Sequence, residues 1–236
     1  MKKGFPFPMS KPESIVGWVW AFVHVFALSY ILYALYTYVL ADMGVKYTDA
    51  SFNLVYYAVS FVFLLVFLFN YLRTSFRHLT SNFVDALSSI AIYYFIYRLS
   101  MYLISLLLSL VYPEISNPNQ ESINELVKLN KNMMIVVSVL LAPFVEEVIF
   151  RGVIFGTIRK KNTLIAYIVS SLFFAFYHEW QFFLTGFSWN LLITTLTYIP
   201  AGICLARTYE RSKTIWAPIF LHMILNFVSV TVQFGL

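Results

Sequence analysis

The chain has 236 residues, 60% of them apolar and 11% charged, whereas soluble domains carry about 25% charged residues. At a mean hydropathy of +0.75 it has too little polar surface to cover a water-soluble globule, so lipid must cover part of it. The formal net charge is +5, but the basic residues stand mostly at the ends of apolar runs, where they face the cytoplasmic leaflet; a nucleic-acid partner is excluded.

Seven apolar segments read as helical spans, over 15–40, 52–72, 83–111, 133–158, 163–178, 182–206 and 214–232. The first follows Lys2, Lys3 and Lys11 and is far longer than the ~7–15-residue apolar core of a signal peptide, so it reads as a retained span. The third is long and holds Arg98, so it tilts, bends or runs past the bilayer. The fifth is short unless it continues beyond His178. Between the third and fourth lies a polar connector, 111–132, with the turn signal Asn117-Pro118-Asn119 and a stretch, 122–131, suited to a short surface helix. The single cysteine, Cys204, excludes an intrachain disulfide and reads as a core residue.

Basic residues concentrate on every second loop. Lys2, Lys3 and Lys11 precede the first span, Arg73 and Arg77 follow the second, Arg159, Lys160 and Lys161 the fourth, and Arg207, Arg211 and Lys213 the sixth. Lys46 stands alone in the first intervening loop, and Lys128 and Lys131 are offset by Glu114, Glu121 and Glu125. The positive-inside rule then places the N-terminus in the cytoplasm and the C-terminus outside. The expected fold is an all-α polytopic bundle of about seven transmembrane spans in the cell membrane. Residues 1–132 form N-terminal helices and connector, and residues 133–236 a catalytic core.

The fourth span holds Pro143, Glu146, Glu147 and Arg151 within an apolar run. Each ionisable group costs ~2.5–3.5 kcal/mol at mid-membrane on insertion scales, so such groups are usually functional or paired. Glu147 and Arg151, four residues apart, share a helix face and pair. Glu146 points ~100° away from Glu147 and has no cation on its own helix. Pro143 removes a backbone bond just upstream and kinks the helix, which opens room for water near Glu146. His178 ends the fifth span, and His222 and Asn226 lie four apart on the seventh. At ~1.5 Å per residue, all four polar residues fall ~12–22 Å from the cytoplasmic ends of their spans, so packed helices bring them to one layer. Taken singly, each histidine and Asn226 has a plainer reading as an interhelical hydrogen bond. His24 reads as a packing or hydrogen-bonding residue of the first span, His78 as interfacial, and Glu179 as a side chain that reaches water.

Glu146-Glu147-x-x-x-Arg151, Phe174-x-x-x-His178 and His222-x-x-x-Asn226, in this order and with Trp216-Ala217-Pro218-Ile219 before His222, resemble the three motifs of the CPBP family, the CAAX proteases and bacteriocin-processing enzymes also called the Abi family. The resemblance covers roughly residues 133–230. It implies an intramembrane endopeptidase in which Glu146 and His178 activate water, His222 and Asn226 donate to the tetrahedral oxyanion, and Glu147 and Arg151 support the helix. Substrates implied are membrane-associated proteins or leader, pheromone or bacteriocin peptides. The chemistry needs a base, a charge stabiliser and oxyanion donors, which this residue set contains. A metal-free route is favoured; zinc held by Glu146, His178 and His222 is the alternative, two imidazoles and a carboxylate being a suitable donor set. The rival functions are a catalytically silent scaffold for a membrane or cell-envelope partner, and a transporter with these residues along its path.

Overall fold

The computed structural model describes residues 9–45 and 48–234. Lys2, Lys3 and Lys46, part of the basis for the expected orientation, lie outside the described residues. Nine helices and no strand are found among those described: α1 (Lys11–Leu40), α2 (Asp49–Phe67), α3 (Phe69–Ser81), α4 (Phe83–Val111), α5 (Pro118–Leu129), α6 (Lys131–Ile158), α7 (Thr163–Phe183), α8 (Trp189–Ser212) and α9 (Trp216–Phe234). The protein is an all-α membrane bundle.

Five of the expected spans fall on one helix each, whereas the second, 52–72, passes the break at Leu68 into α3, and the sixth, 182–206, begins in the last turn of α7 and crosses 184–188 before α8. Five helices, α1, α2, α4, α6 and α8, are long and apolar enough to cross a membrane. In α9 the apolar stretch is the shorter Trp216–Val232. Helix α7 does run past His178, to Phe183, and its His178, Glu179 and Gln181 dilute its apolar character. The connector forms α5, whose Ile123, Leu126 and Val127 pack on Ala50 and Met134.

Helix starts follow local chemistry. Ser10 and Glu13 form a reciprocal capping box ahead of α1, with Pro12 in the first turn. Glu13 also accepts the backbone N–H of Tyr71 at 2.9 Å, which fastens α1 to α3. Thr48 and Ser51 cap α2 in the same way. Asn117, Asn162 and Ser188 cap α5, α7 and α8 by accepting backbone N–H groups.

Helix α6 lies at the centre. Of its most apolar window 67% is buried inside the protein, against 0% for α4, so α6 gives its side chains to other helices, whereas α4 lies at the outside of the bundle and packs inward through Ile90, Tyr93, Tyr94 and Tyr97. The largest core cluster joins Ala21, Leu64 and Tyr71 of the N-terminal helices to Val148, Phe174 and Leu221 of the C-terminal ones. Lipid tails are as apolar as leucine, so helices in a bilayer associate through close packing and polar contacts. Two glycines show this. A Cβ on Gly17 would stand 2.6 Å from a Val153 methyl, and one on Gly202 would stand 2.9 Å from the Ser171 Cα. Only hydrogen at these positions lets α1 meet α6 and α8 meet α7.

Helix α6 is not a uniform α-helix. It widens to π turns over Val136–Leu141 and Val148–Phe155, with an α-helical stretch, Ala142–Glu147, between them. Pro143, where a kink was expected, stands in that α-helical stretch directly after the first π turns. π turns inside α-helices leave backbone register shifts that frequently mark functional sites.

Candidate active site

The stretch between the π turns carries the two carboxylates. Glu147 and Arg151 are both fully buried, and Arg151 Nη1 donates to Glu147 Oε1 at 2.9 Å. Arg151 Nη2 donates to the Gly202 carbonyl at 3.3 Å, which the close approach of α8 makes reachable. Its guanidinium carbon lies 4.2 Å from the centroid of the Phe174 ring, a cation–π contact. A buried charge without such partners costs several kcal/mol. The pairing expected from the four-residue spacing is therefore present, and Phe174 and Gly202 add to it.

Glu147 Oε1 also pairs with His222 Nδ1, at 2.8 Å. A carboxylate accepts, so His222 carries its proton on Nδ1 and turns the Nε2 lone pair elsewhere. His178 is set in the same way from another side: its Nδ1 donates to the Phe174 carbonyl at 2.8 Å. The His178 ring stacks on Tyr198, with centroids 4.3 Å apart. The Phe174 ring meets both imidazoles edge-on, at 4.6 Å for His178 and 5.8 Å for His222. In Phe174-x-x-x-His178, then, the phenylalanine supplies a wall for three cations or imidazoles and a carbonyl that fixes a tautomer.

Both Nε2 atoms face Glu146. His178 Nε2 stands 3.8 Å and His222 Nε2 3.9 Å from Glu146 Oε2, an oxygen with no hydrogen-bond partner. These separations exceed direct hydrogen-bond reach and match what one bridging water spans. Glu146 Oε1 accepts from the Tyr57 hydroxyl at 3.1 Å. Glu147 and Arg151 cancel, so neutrality of the buried cluster requires one proton shared among Glu146 and the two imidazoles.

Asn226 lines the same cavity, of about 530 Å³, as Glu146, His178 and His222. Its Nδ2 donates to the Ser138 carbonyl at 2.8 Å, so one of its two N–H groups is engaged on α6. The cavity extends from these residues to Asn53 on α2 and Gln120 on α5. Among the described residues, no group of three or more His, Cys, Asp and Glu side chains is arranged to hold a metal ion.

The structure thus brings all seven motif residues together. It corrects one sequence expectation: Glu179 does not reach water but is 0% exposed, and neither carboxylate oxygen has a hydrogen-bond partner. Tyr57, Tyr198 and His24 also belong to the site's surroundings and were not singled out for it. The available signal was weak, a polar group in an apolar span.

Residues 128–228 match the family model described as Type II CAAX prenyl endopeptidase Rce1-like. The chain is 36% identical over 102 residues to "Putative membrane peptidase YdiL" of Bacillus subtilis (strain 168), which is 43% of this chain and 37% of that protein. It is 31% identical over 87 residues to "UPF0177 protein YxdF" of Lactococcus lactis subsp. lactis (strain IL1403), 37% of this chain and 42% of that protein. The chain thus spans about two fifths of the length of these curated relatives. No solved structure matches it. All seven motif residues fall inside the matched region, residues 128–228.

Proposed function

We propose that the protein is a multi-pass cell-membrane endopeptidase that cleaves a membrane-associated protein or a leader, pheromone or bacteriocin peptide with a water activated by Glu146. One observation carries this reading: two imidazoles, each held through its Nδ1, place their Nε2 atoms 3.8 and 3.9 Å from the one unpartnered oxygen of a buried carboxylate.

Glu146 Oε2 and His178 Nε2 bind a water, and Glu146 takes its proton as the oxygen attacks the scissile carbonyl carbon. The tetrahedral oxyanion is met by Asn226, whose second N–H is left over from the Ser138 contact, and by His222. With Nδ1–H committed to Glu147, His222 donates from Nε2 only as imidazolium. Glu147 stabilises that cation. The C–N bond then breaks, and the proton held by Glu146 passes to the leaving amine. Arg151 holds Glu147 in place. The spacing around Glu146 supports a metal-free route, with zinc on Glu146, His178 and His222 as the alternative.

The test compares new peptide N-termini in membranes and medium from cells with wild type or Glu146→Ala at matched levels. Termini lost in the variant support proteolysis and nominate the substrate. Unchanged termini, with the deletion phenotype rescued by Glu146→Ala, would leave a silent scaffold as the better account.

A further inference from the structure

The two N-terminal helices α1 and α2 lie outside residues 128–228, yet they reach the catalytic carboxylate through buried polar groups. Ser60 Oγ lies 2.7 Å from His24 Nδ1. His24 Nε2 lies 3.0 Å from the Tyr177 hydroxyl. That hydroxyl lies 3.1 Å from the Tyr57 hydroxyl, which donates to Glu146 Oε1. Ser60 and His24 are 0% exposed. A further bond, from the Tyr56 hydroxyl to the His24 carbonyl at 2.6 Å, holds the π turn of α1 that bears His24.

The hydrogens of this series fit in one direction when Glu146 is ionised, as a general base must be. Tyr57 spends its proton on Glu146 and must accept from Tyr177. Tyr177, having given its proton, must accept from His24 Nε2–H. His24, protonated on Nε2 and neutral, then accepts from Ser60 at Nδ1. Every link donates toward the carboxylate. Such a series polarises itself and strengthens the terminal bond, which stabilises negative charge on Glu146 and fixes the rotation that turns Oε2 to the histidines.

We propose that Ser60, His24, Tyr177 and Tyr57 form a one-way hydrogen-bond chain by which the N-terminal helices hold Glu146 charged and oriented as the base. They are positioning residues, and the inference rests on the proteolytic reading above. Helices α1 and α2 are on this view part of the active site rather than membrane anchors alone.

The test uses the full chain in lipid nanodiscs and a quenched-fluorescent peptide that copies the residues around a terminus lost in Glu146→Ala cells. Tyr57→Phe keeps the ring and removes the donor. Its kcat should fall about tenfold, the loss expected for one hydrogen bond to a charged group, with KM changed less than about twofold because the peptide is not touched. Tyr177→Phe, which does not contact Glu146, should lose about threefold in kcat by weakening the link beyond it. The double variant should be no slower than Tyr57→Phe, since the chain is already cut there. Wild-type kcat in Tyr57→Phe, or losses that multiply in the double variant, would overturn the chain while leaving the protease intact. If Tyr57→Phe does not fold, wild-type kcat in Tyr177→Phe overturns it. Equal cleavage by wild type and Glu146→Ala, or none by either, removes the protease reading and the chain with it.

Discussion

The His222 ring joins the two carboxylates of α6: Nδ1 lies 2.8 Å from Glu147 Oε1 and Nε2 3.9 Å from Glu146 Oε2. Glu147 Oε1 is a branch point, since the same oxygen accepts from Arg151 at 2.9 Å. One anion therefore neutralises the buried guanidinium and anchors the His222 imidazole through Nδ1.

Glu147→Gln separates these duties. It leaves Arg151 buried without its directly paired anion, which should lower stability by about 3–5 kcal/mol, the cost of breaking a buried pair from one side. Arg151→Met placed on top removes the stranded charge and should return much of that loss. Cleavage should not return, because glutamine stabilises no His222 imidazolium. Thermal unfolding in detergent, with peptide cleavage in parallel, reads both. A double variant no more stable than Glu147→Gln would show that a stranded Arg151 charge is not the source of the loss.

Gly202→Ala tests the approach of α8 to α7. The new Cβ would stand 2.9 Å from both Cα and Cβ of Ser171, so the helices must part or shift. Overpacking of this kind costs ~1–3 kcal/mol. The shift also draws the Gly202 carbonyl from Arg151 Nη2. Lower melting temperature and lower activity are expected together. Ser171→Gly in the same chain removes the Cβ and Oγ contacts and should restore part of both. A Gly202→Ala protein with wild-type melting would show that α7 and α8 separate freely.

The fold was legible because apolar run length is a coarse signal that survives tertiary packing; the breaks at Leu68 and at 184–188, inside apolar runs, were not. The six polar motif residues were legible because a polar or ionisable group in an apolar helix is expensive and the order of the motifs is specific. The supporting groups were not. Tyr57, Tyr177 and Tyr198 look like the interfacial tyrosines in which this chain is rich, and only helix packing brings Tyr57 to Glu146. His24 was expected to pack or to hydrogen-bond, and its partners, 36 and 153 residues away, were beyond the sequence's reach. Glu179 was expected in water because it ends a span, and packing around the end of α7 covers it instead.

That burial makes Glu179 a source of strain. A carboxyl taken from water without a hydrogen bond costs free energy in either protonation state. Glu179→Leu removes the polar atoms and should raise stability by about 1 kcal/mol or more, or ~2–4 °C in melting temperature for a chain of this size. The comparison is thermal unfolding in detergent at matched lipid content. A melting temperature at or below wild type would mean that Glu179 has a compensating contact within the membrane.

Metal removal separates the two chemical routes proposed for Glu146. Held by Tyr57 on one oxygen and faced by two imidazoles on the other, Glu146 is placed either as a base or as a ligand. Zinc would need His178 Nε2, His222 Nε2 and Glu146 Oε2 each at about 2.0–2.2 Å from one point, and the two nitrogens stand 3.8 and 3.9 Å from that oxygen. Tetrahedral sites of that size hold their ligand atoms closer together, at about 3.3–3.5 Å, so binding would require α7 and α9 to draw in on α6. The Tyr57 contact at 3.1 Å opposes movement of the carboxylate. Exhaustive chelation should therefore leave cleavage within about twofold, metal analysis should find far less than one zinc per chain, and added zinc should not stimulate. Stoichiometric zinc, with activity lost on chelation and regained on zinc addition, would instead make Glu146 a ligand and pass the role of base to a metal-bound water.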